Sequence, residues 1–172
     1  MMMKPEQTSR FESIRKELED VQRRFLCLLD EIPDRDWERR LAGEGWTVKQ
    51  EMVHIVQVVN VIRRGIEQAS TGHSRSAMGM VPAGLRSWVN GAIIVPMMAR
   101  GATRQSIAEG YHQAHDALLA LLKELPEEAW SRGMPYPSQF RTVEQLAHRP
   151  AEHFEEHVAR LRNAAGIKPE GK

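Results

Sequence analysis

Disulfide frameworks and sites built from several cysteines are excluded, because Cys27 is the only cysteine in 172 residues. Cys27 lies in the apolar segment Phe25–Leu29, and we expect it to be a small buried residue. The chain also lacks an excess of charge of either sign, since Lys and Arg total 24 and Asp and Glu total 23. This balance argues against a dedicated nucleic-acid binder, which usually has a strong basic excess.

Long apolar runs are absent as well. The longest, Ala92–Ala99, is too short to span a bilayer, and Met1–Arg10 lacks the apolar stretch of a signal peptide. The length fits one domain over residues 1–172, and 41% hydrophobic residues are enough to bury a core. We therefore expect a single-domain cytoplasmic protein that binds neither membrane nor nucleic acid.

Four segments carry apolar residues at the three- and four-residue spacing of helices with one buried face. They are Phe11 to Ile32, Thr47 to about Gly72, Ile107 to Leu125, and Thr142 to about Gly166. Capping boxes fit their starts at Ser9 with Glu12, at Thr47, and at Thr142. Pro150 should kink or interrupt the fourth helix, because proline removes a backbone donor. No segment alternates with a period of two, so we expect no sheet.

An internal repeat relates the two halves of the chain. Leu28–Arg39 reads LLDEIPDRDWER, and Leu121–Arg132 reads LLKELPEEAWSR. Downstream, the sequence TVKQ in the first half is answered by TVEQ in the second. The repeat predicts two helix–loop–helix hairpins that bury their apolar stripes against each other, as an all-α four-helix bundle.

A long crossover, Gly72–Ala102, joins the second helix to the third. Connections of this length are usually functional or disordered, but the apolar content of this one favours an ordered segment over one end of the bundle. Leu85–Ile94 fits a short extra helix, and the methionines of the crossover are more often packing residues than ligands. The apolar run Ala92–Ala99 exceeds what a surface crossover needs, so a homodimer contact is a further possibility.

The histidines of the fourth helix fall into two groups on a helical wheel. With Phe154 as the direction of the core, His157 lies about 60° and His153 about 100° to the same side. Two imidazoles four residues apart can share one metal ion, as half-sites for zinc, nickel or iron(II) do. Such pairs are more often solvated than bound to metal. Glu144 and His148 form a second candidate half-site on the opposite flank, about 80° and 120° away.

The second helix contributes His54, within the apolar sequence MVHIV. A lone histidine there is more often a satisfied core residue than a ligand, and the wheel places it near the edge of the apolar stripe. Together with the pair on the fourth helix, however, it would complete a three-histidine set that leaves coordination positions open, as catalytic zinc sites do.

Other polar residues have more ordinary interpretations. Glu51 and Glu156 are the carboxylates nearest these histidines in sequence; we expect exposed side chains, and the alternative is that they orient an imidazole. Tyr111 lies on the apolar stripe of the third helix and is expected to pack rather than act as an acid. His112 and His115 are expected on a solvated face or as hinge contacts, and His73 at the surface.

Three motifs resemble the DinB-like superfamily, named for DNA-damage-inducible proteins, and especially its branch of metal-dependent hydrolases. They are WTVKQEMVH, which ends in His54, then LLKELPEEAW, and then TVEQ, which leads to His153 and His157. The resemblance extends from about Arg10 to Arg162. It implies a four-helix bundle in which His54, His153 and His157 hold a divalent metal ion.

The resemblance also implies a function. It suggests a hydrolase or a thiol S-transferase that acts on a small molecule at an open metal centre. The implied metal is Zn²⁺ or Ni²⁺ first and Fe²⁺ or Mn²⁺ next, and a low-molecular-weight thiol could be a cofactor. Related mycothiol-dependent isomerases pair a histidine with Glu-x-x-x-His, which Glu144 and His148 would match. The alternative class is a non-enzymatic stress-response or binding protein with a structural or vestigial metal site.

Overall fold

The computed structural model describes residues 5–43, 45–72, 90–136 and 139–167. Five helices occur in these ranges, and four of them are long and form a bundle. The helices are α1 (Pro5–Glu31), α2 (Val48–Ser70), α3 (Val95–Ala99), α4 (Arg104–Glu124) and α5 (Val143–Ala164). The predicted all-α four-helix bundle is therefore confirmed. Within the described ranges, no helix combines the length and the apolar character needed to cross a membrane.

The apolar stripes that predicted the helices form the core. Every stripe residue of α1, from Phe11 to Ile32, is buried, and Phe25 stacks on Tyr111 of α4 with ring centroids 4.3 Å apart. Tyr111 is thus a packing residue, as expected. Phe154 of α5 meets Phe25 edge to face at 6.4 Å, so that three helices meet in one aromatic cluster.

The two helices of each hairpin, α1 with α2 and α4 with α5, lie at diagonal corners of the bundle, because α1 and α2 each pack against both α4 and α5. Side-chain pairs of α1 and α5 are Arg10–Glu144, Glu17–His148, Arg24–Glu155 and Glu31–Arg162. The numbers rise together along both helices, and the members on α1 are seven residues apart, so these two helices run parallel. Helix α2 runs antiparallel to α5, which places the first half of α2 beside the second half of α5.

The internal repeat is visible in the loops. Each half has a 3₁₀ turn after its first helix, Asp34–Asp36 in one and Glu127–Ala129 in the other. Each then returns to its second helix through a matching backbone bond, Val48 N–H to Arg39 C=O and Val143 N–H to Arg132 C=O. These loops fix where α2 and α5 begin.

The expectation of no sheet is wrong for the second loop. There β1 (Gly133–Tyr136) and β2 (Gln139–Thr142) pair antiparallel, with Gly133 opposite Thr142. Strands of four residues are too short to show a sustained period of two. Gly133 is required for the pairing, since a Cβ atom there would lie 2.2 Å from the Arg141 carbonyl oxygen and 2.7 Å from the Phe140 ring.

Three local predictions are corrected. Helix α1 begins at Pro5 rather than at Ser9, because proline suits the first helical turn, where no donor is needed. Cys27 is exposed, since it lies two residues from Phe25 and so points away from the buried stripe. Helix α5 is not interrupted at Pro150, which is buried within the continuous helix.

The described part of the crossover packs against α2. A π-helical turn, Asn90–Ile94, leads into α3, whose Val95 is buried while Met97 is exposed. The rest of the predicted extra helix, residues 85–89, lies outside the described residues.

Candidate metal centre

Helices α2 and α5 bring together three histidines of the described chain. Capping boxes fix the starts of both helices: the side chain of Thr47 accepts from Gln50 N–H, and that of Thr142 from Gln145 N–H, as predicted. His54 lies in the second turn of α2. His153 and His157 lie one turn apart in the second half of α5, on the face toward α2.

The three imidazoles form one compact cluster. The Nε2 atoms of His54 and His153 are 3.1 Å apart, and one ring nitrogen from each of the three histidines lies within 4.8 Å of the others. The ring centroids of His153 and His157 are 4.2 Å apart. The indole of Trp46, just before α2, packs against His54 at 4.8 Å and covers part of its ring.

His157 is oriented by a carboxylate from the neighbouring helix. Its Nδ1 donates to Glu51, a side chain of α2 that is 0% exposed, and Glu51 also accepts from Arg160 Nε at 3.1 Å. Burial raises the pKa of the Glu51 carboxyl, but the hydrogen bonds and charges of His157 and Arg160 lower it by more, so the net pKa lies below its usual value. The expectation that Glu51 is exposed is therefore wrong. The alternative, that Glu51 orients an imidazole, agrees with the structure.

His153 has a similar partner on its own helix. Its Nδ1 lies 3.2 Å from Glu156, a half-exposed carboxylate that Arg149 holds with two bonds of 2.7 Å. The hydrogen bond from Arg149 is the largest cause that lowers the pKa of Glu156 to about 2. Tyr136 on β1 lies near Arg149 and also raises the pKa of its guanidinium. Glu156 is exposed, as expected, yet it also orients an imidazole.

His153 is held in the neutral form that metal binding requires. The pKa of His153 is lowered to about 3, chiefly by burial and then by the neighbouring imidazoles of His157 and His54. His153 is therefore unprotonated at neutral pH, with Nδ1 turned to Glu156 and Nε2 turned to His54. Neutral imidazoles fixed through one nitrogen and presenting the other are the usual arrangement at protein metal sites.

The second candidate half-site lies elsewhere. His148 Nδ1 bonds Glu17 of α1 at 2.5 Å, and Glu144 pairs with Arg10 of α1 at 3.3 Å. Both therefore face α1, on the opposite flank from His54, as the helical wheel indicated.

Two further histidines among the described residues, His112 and His115, do not join the cluster. His112 is exposed and lies 3.3 Å from Gln22, as expected. His115 is buried rather than solvated, and bonds Asp116 at 3.2 Å, because it lies one turn after Tyr111 on the core side of α4. His73 lies outside the described residues.

Sequence reasoning missed Arg149 and Arg160, and it undervalued Glu51. A signal for all three was present, since side chains three or four residues apart on a helix are neighbours. Glu51 precedes His54 by three, Arg149 precedes His153 by four, and Arg160 follows His157 by three. What the spacing could not reveal is that Glu51 reaches across to the other helix.

Comparisons with known proteins agree with this fold. One solved structure, YfiT from Bacillus subtilis, is described as a probable metal-dependent hydrolase with an unusual four-helix bundle topology. It superposes with a TM-score of 0.69 at 20% identity, over 97% of this chain and 92% of that one, which is a likeness of fold. No curated protein sequence matches the chain. The family model of the DinB superfamily matches residues 17–161. The chain therefore belongs to the DinB superfamily.

Proposed function

We propose that His54, His153 and His157 bind one divalent metal ion through their Nε2 atoms. The observation that carries this proposal is the convergence of the three ring nitrogens. Two ligands of a tetrahedral ion with bonds of about 2.0–2.1 Å lie about 3.3 Å apart, close to the 3.1 Å between His54 and His153. Three imidazoles favour Zn²⁺ or Ni²⁺, with Fe²⁺ and Mn²⁺ as the next candidates.

Three protein ligands leave at least one position for a substrate, as at catalytic rather than structural zinc sites. When bound, such an ion acts as a Lewis acid, or lowers the pKa of a coordinated water or thiol. Glu51 and Glu156 are both engaged on Nδ1 atoms, so we assign them the task of holding His157 and His153. Trp46 limits the access of water to His54.

The activity that these features support best is metal-dependent hydrolysis, and YfiT is described as a probable metal-dependent hydrolase. The substrate that we propose for this chain is a small molecule. Thiol S-transfer, with a low-molecular-weight thiol at the open position, is the second candidate, because the same centre would activate a thiol. A non-enzymatic protein with a structural metal is the remaining class. Such a protein would unfold when the metal is removed, or would bind no metal at all.

Metal analysis tests the proposal. Protein loaded with zinc or nickel and then dialysed should hold one ion per chain, and His153→Ala should lose most of it. His148→Ala is the matched control, because His148 lies on the same helix, also bonds a glutamate, and faces α1. Equal metal content in all three proteins, or a wild type that takes up no metal, would refute the assignment. Unfolding of the wild type when the metal is removed would favour a structural role.

We also propose that the protein forms a homodimer through the crossover. Three large apolar side chains there are exposed in the monomer, namely Ile93, Met97 and Met98. Contiguous exposed apolar side chains of this kind are usually covered by a partner.

A further inference from the structure

The two carboxylates at the histidine cluster are each held by an arginine. Arg149 binds Glu156 with two parallel bonds of 2.7 Å, and Arg160 binds Glu51 from α5 across to α2. The third histidine–glutamate pair of the bundle, His148 with Glu17, has no arginine partner on Glu17 among the described residues. The guanidinium groups are therefore a feature of the cluster.

These arginines change the electrostatics of the site. The side chains of Arg149 and Arg160 are only 13% and 27% exposed, so water screens their charges incompletely. Two negative carboxylates and two positive guanidinium groups cancel. A divalent ion held by neutral imidazoles inside this ring keeps its full charge of about +2 toward anything that approaches the open position.

We propose that Arg149 and Arg160 balance the charges of Glu156 and Glu51, and that the open position of the centre consequently takes an anionic donor, a thiolate or a carboxylate. This inference rests on the proposed function, because it requires the metal. Each arginine contacts the imidazole as well as the carboxylate, since Arg149 Nη2 lies 3.4 Å from His153 Nδ1 and Arg160 Nη2 lies 2.5 Å from His157 Nδ1. We assign both arginines positioning and charge-balancing roles. Without Arg149, the uncompensated charge of Glu156 would repel an anion beside the metal, which we expect to weaken its binding about three- to tenfold.

The test uses Co²⁺ as a coloured substitute for zinc, with azide as the anionic probe and imidazole as a neutral one. Visible spectra of the Co²⁺ protein report the binding of both. Arg149→Gln should weaken azide binding and leave imidazole binding unchanged. Arg149→Lys keeps the charge and should bind both probes like the wild type. Arg10→Gln is the control, because Arg10 also pairs with two glutamates but on the far flank.

A second set of variants tests the same claim in the opposite direction. Glu156→Gln should strengthen azide binding, since it leaves the charge of Arg149 in excess, and the exposed position of Glu156 should tolerate the change. The double variant Arg149→Gln with Glu156→Gln should return azide affinity to near the wild-type value. Azide affinity that is equal in all these variants, or imidazole affinity that falls together with it, would overturn the inference.

The outcomes separate this inference from the proposed function. A wild type that takes up no Co²⁺ refutes both, whereas normal uptake with azide binding insensitive to Arg149 refutes only the charge balance. Acetate and 2-mercaptoethanol represent the two sources of an anionic donor. The binding of both should weaken in Arg149→Gln, as azide binding does. Tighter binding of acetate would indicate a carboxylate donor, and tighter binding of 2-mercaptoethanol would indicate a thiolate.

Discussion

Each imidazole of the cluster has two ring nitrogens, and for His153 and His157 a glutamate partner decides which nitrogen faces the centre. Glu51 is hydrogen-bonded to Nδ1 of His157, and Glu156 is hydrogen-bonded to Nδ1 of His153. The Nε2 atoms are thereby left for a metal ion. Partners of this kind typically contribute 10- to 100-fold to metal affinity.

Replacing Glu51 tests this contribution. We expect Glu51→Gln to lower zinc affinity at least tenfold, because the neutral amide holds His157 more weakly and leaves Arg160 uncompensated near the ion. Competition with a chromogenic chelator measures the affinity. Glu17→Gln is the matched control, since Glu17 bonds His148 outside the cluster, and should leave zinc affinity unchanged. Equal affinities in the two variants would contradict the role of Glu51.

The neutral state of His153 predicts a pH dependence of stability in the metal-free protein. The pKa of His153 is about 3 in the folded chain and about 6.5 in an unfolded one. Between these values the unfolded chain binds a proton that the folded chain does not, so the free energy of unfolding falls as the pH drops from about 6.5 toward 3.

Urea unfolding at pH 7 and pH 5 measures this fall. We expect His153→Gln to lose less stability than the wild type between these two pH values, and His112→Gln, at an exposed position on α4, to lose as much as the wild type. An equal loss in all three proteins would show that His153 is not held neutral by burial.

At the scale of elements, the helix starts place the ligands. The side chain of Thr142 caps the start of α5. This start fixes the position of the helix that carries His153 and His157. Thr142→Ala should lower the free energy of unfolding by about 1 kcal/mol, as lost N-caps do. Thr71→Ala, at an exposed helix end without an N-capping bond, should change it by much less. Chemical denaturation compares the two, and equal losses would exclude the capping role.

The accuracy of the sequence predictions varied between elements for physical reasons. TVKQ and TVEQ match the capping-box pattern, and both starts were predicted correctly. No start was predicted for α4, because its capping Thr103 is paired with Ser106 rather than with the usual Glu or Gln. Hairpin strands of four residues carry too little periodicity to be distinguished from a loop.

At the scale of the whole molecule, the apolar stripes predicted the bundle but not its arrangement. A stripe shows which face of a helix is buried, but it does not show which helices that face contacts. The diagonal placement of the two helices within each hairpin could therefore not be derived. For the cluster, the helical wheel placed His153 and His157 on one flank, but left His54 undecided until the family resemblance supplied it. The burial of Glu51 depends on α5, which no local pattern encodes.

The proposed homodimer belongs to this scale too. Sedimentation should give a mass near twice the 19.6 kDa of one chain. Met97→Asp should shift it toward the monomer, because a charge would be buried at the contact. Phe140→Asp, at another exposed apolar residue, on β2, should leave the dimer intact. A wild type that sediments as a monomer would contradict the proposal.

The central claim is that one metal ion is bound by three histidines of two antiparallel helices. An anomalous-difference map, collected at the absorption edge of the loaded metal, tests it most directly. We predict a single strong peak about 2.0–2.2 Å from the Nε2 atoms of His54, His153 and His157, with at least one further position open. A peak beside Glu144 and His148, or no peak in crystals grown from protein loaded with zinc or nickel, would contradict the claim.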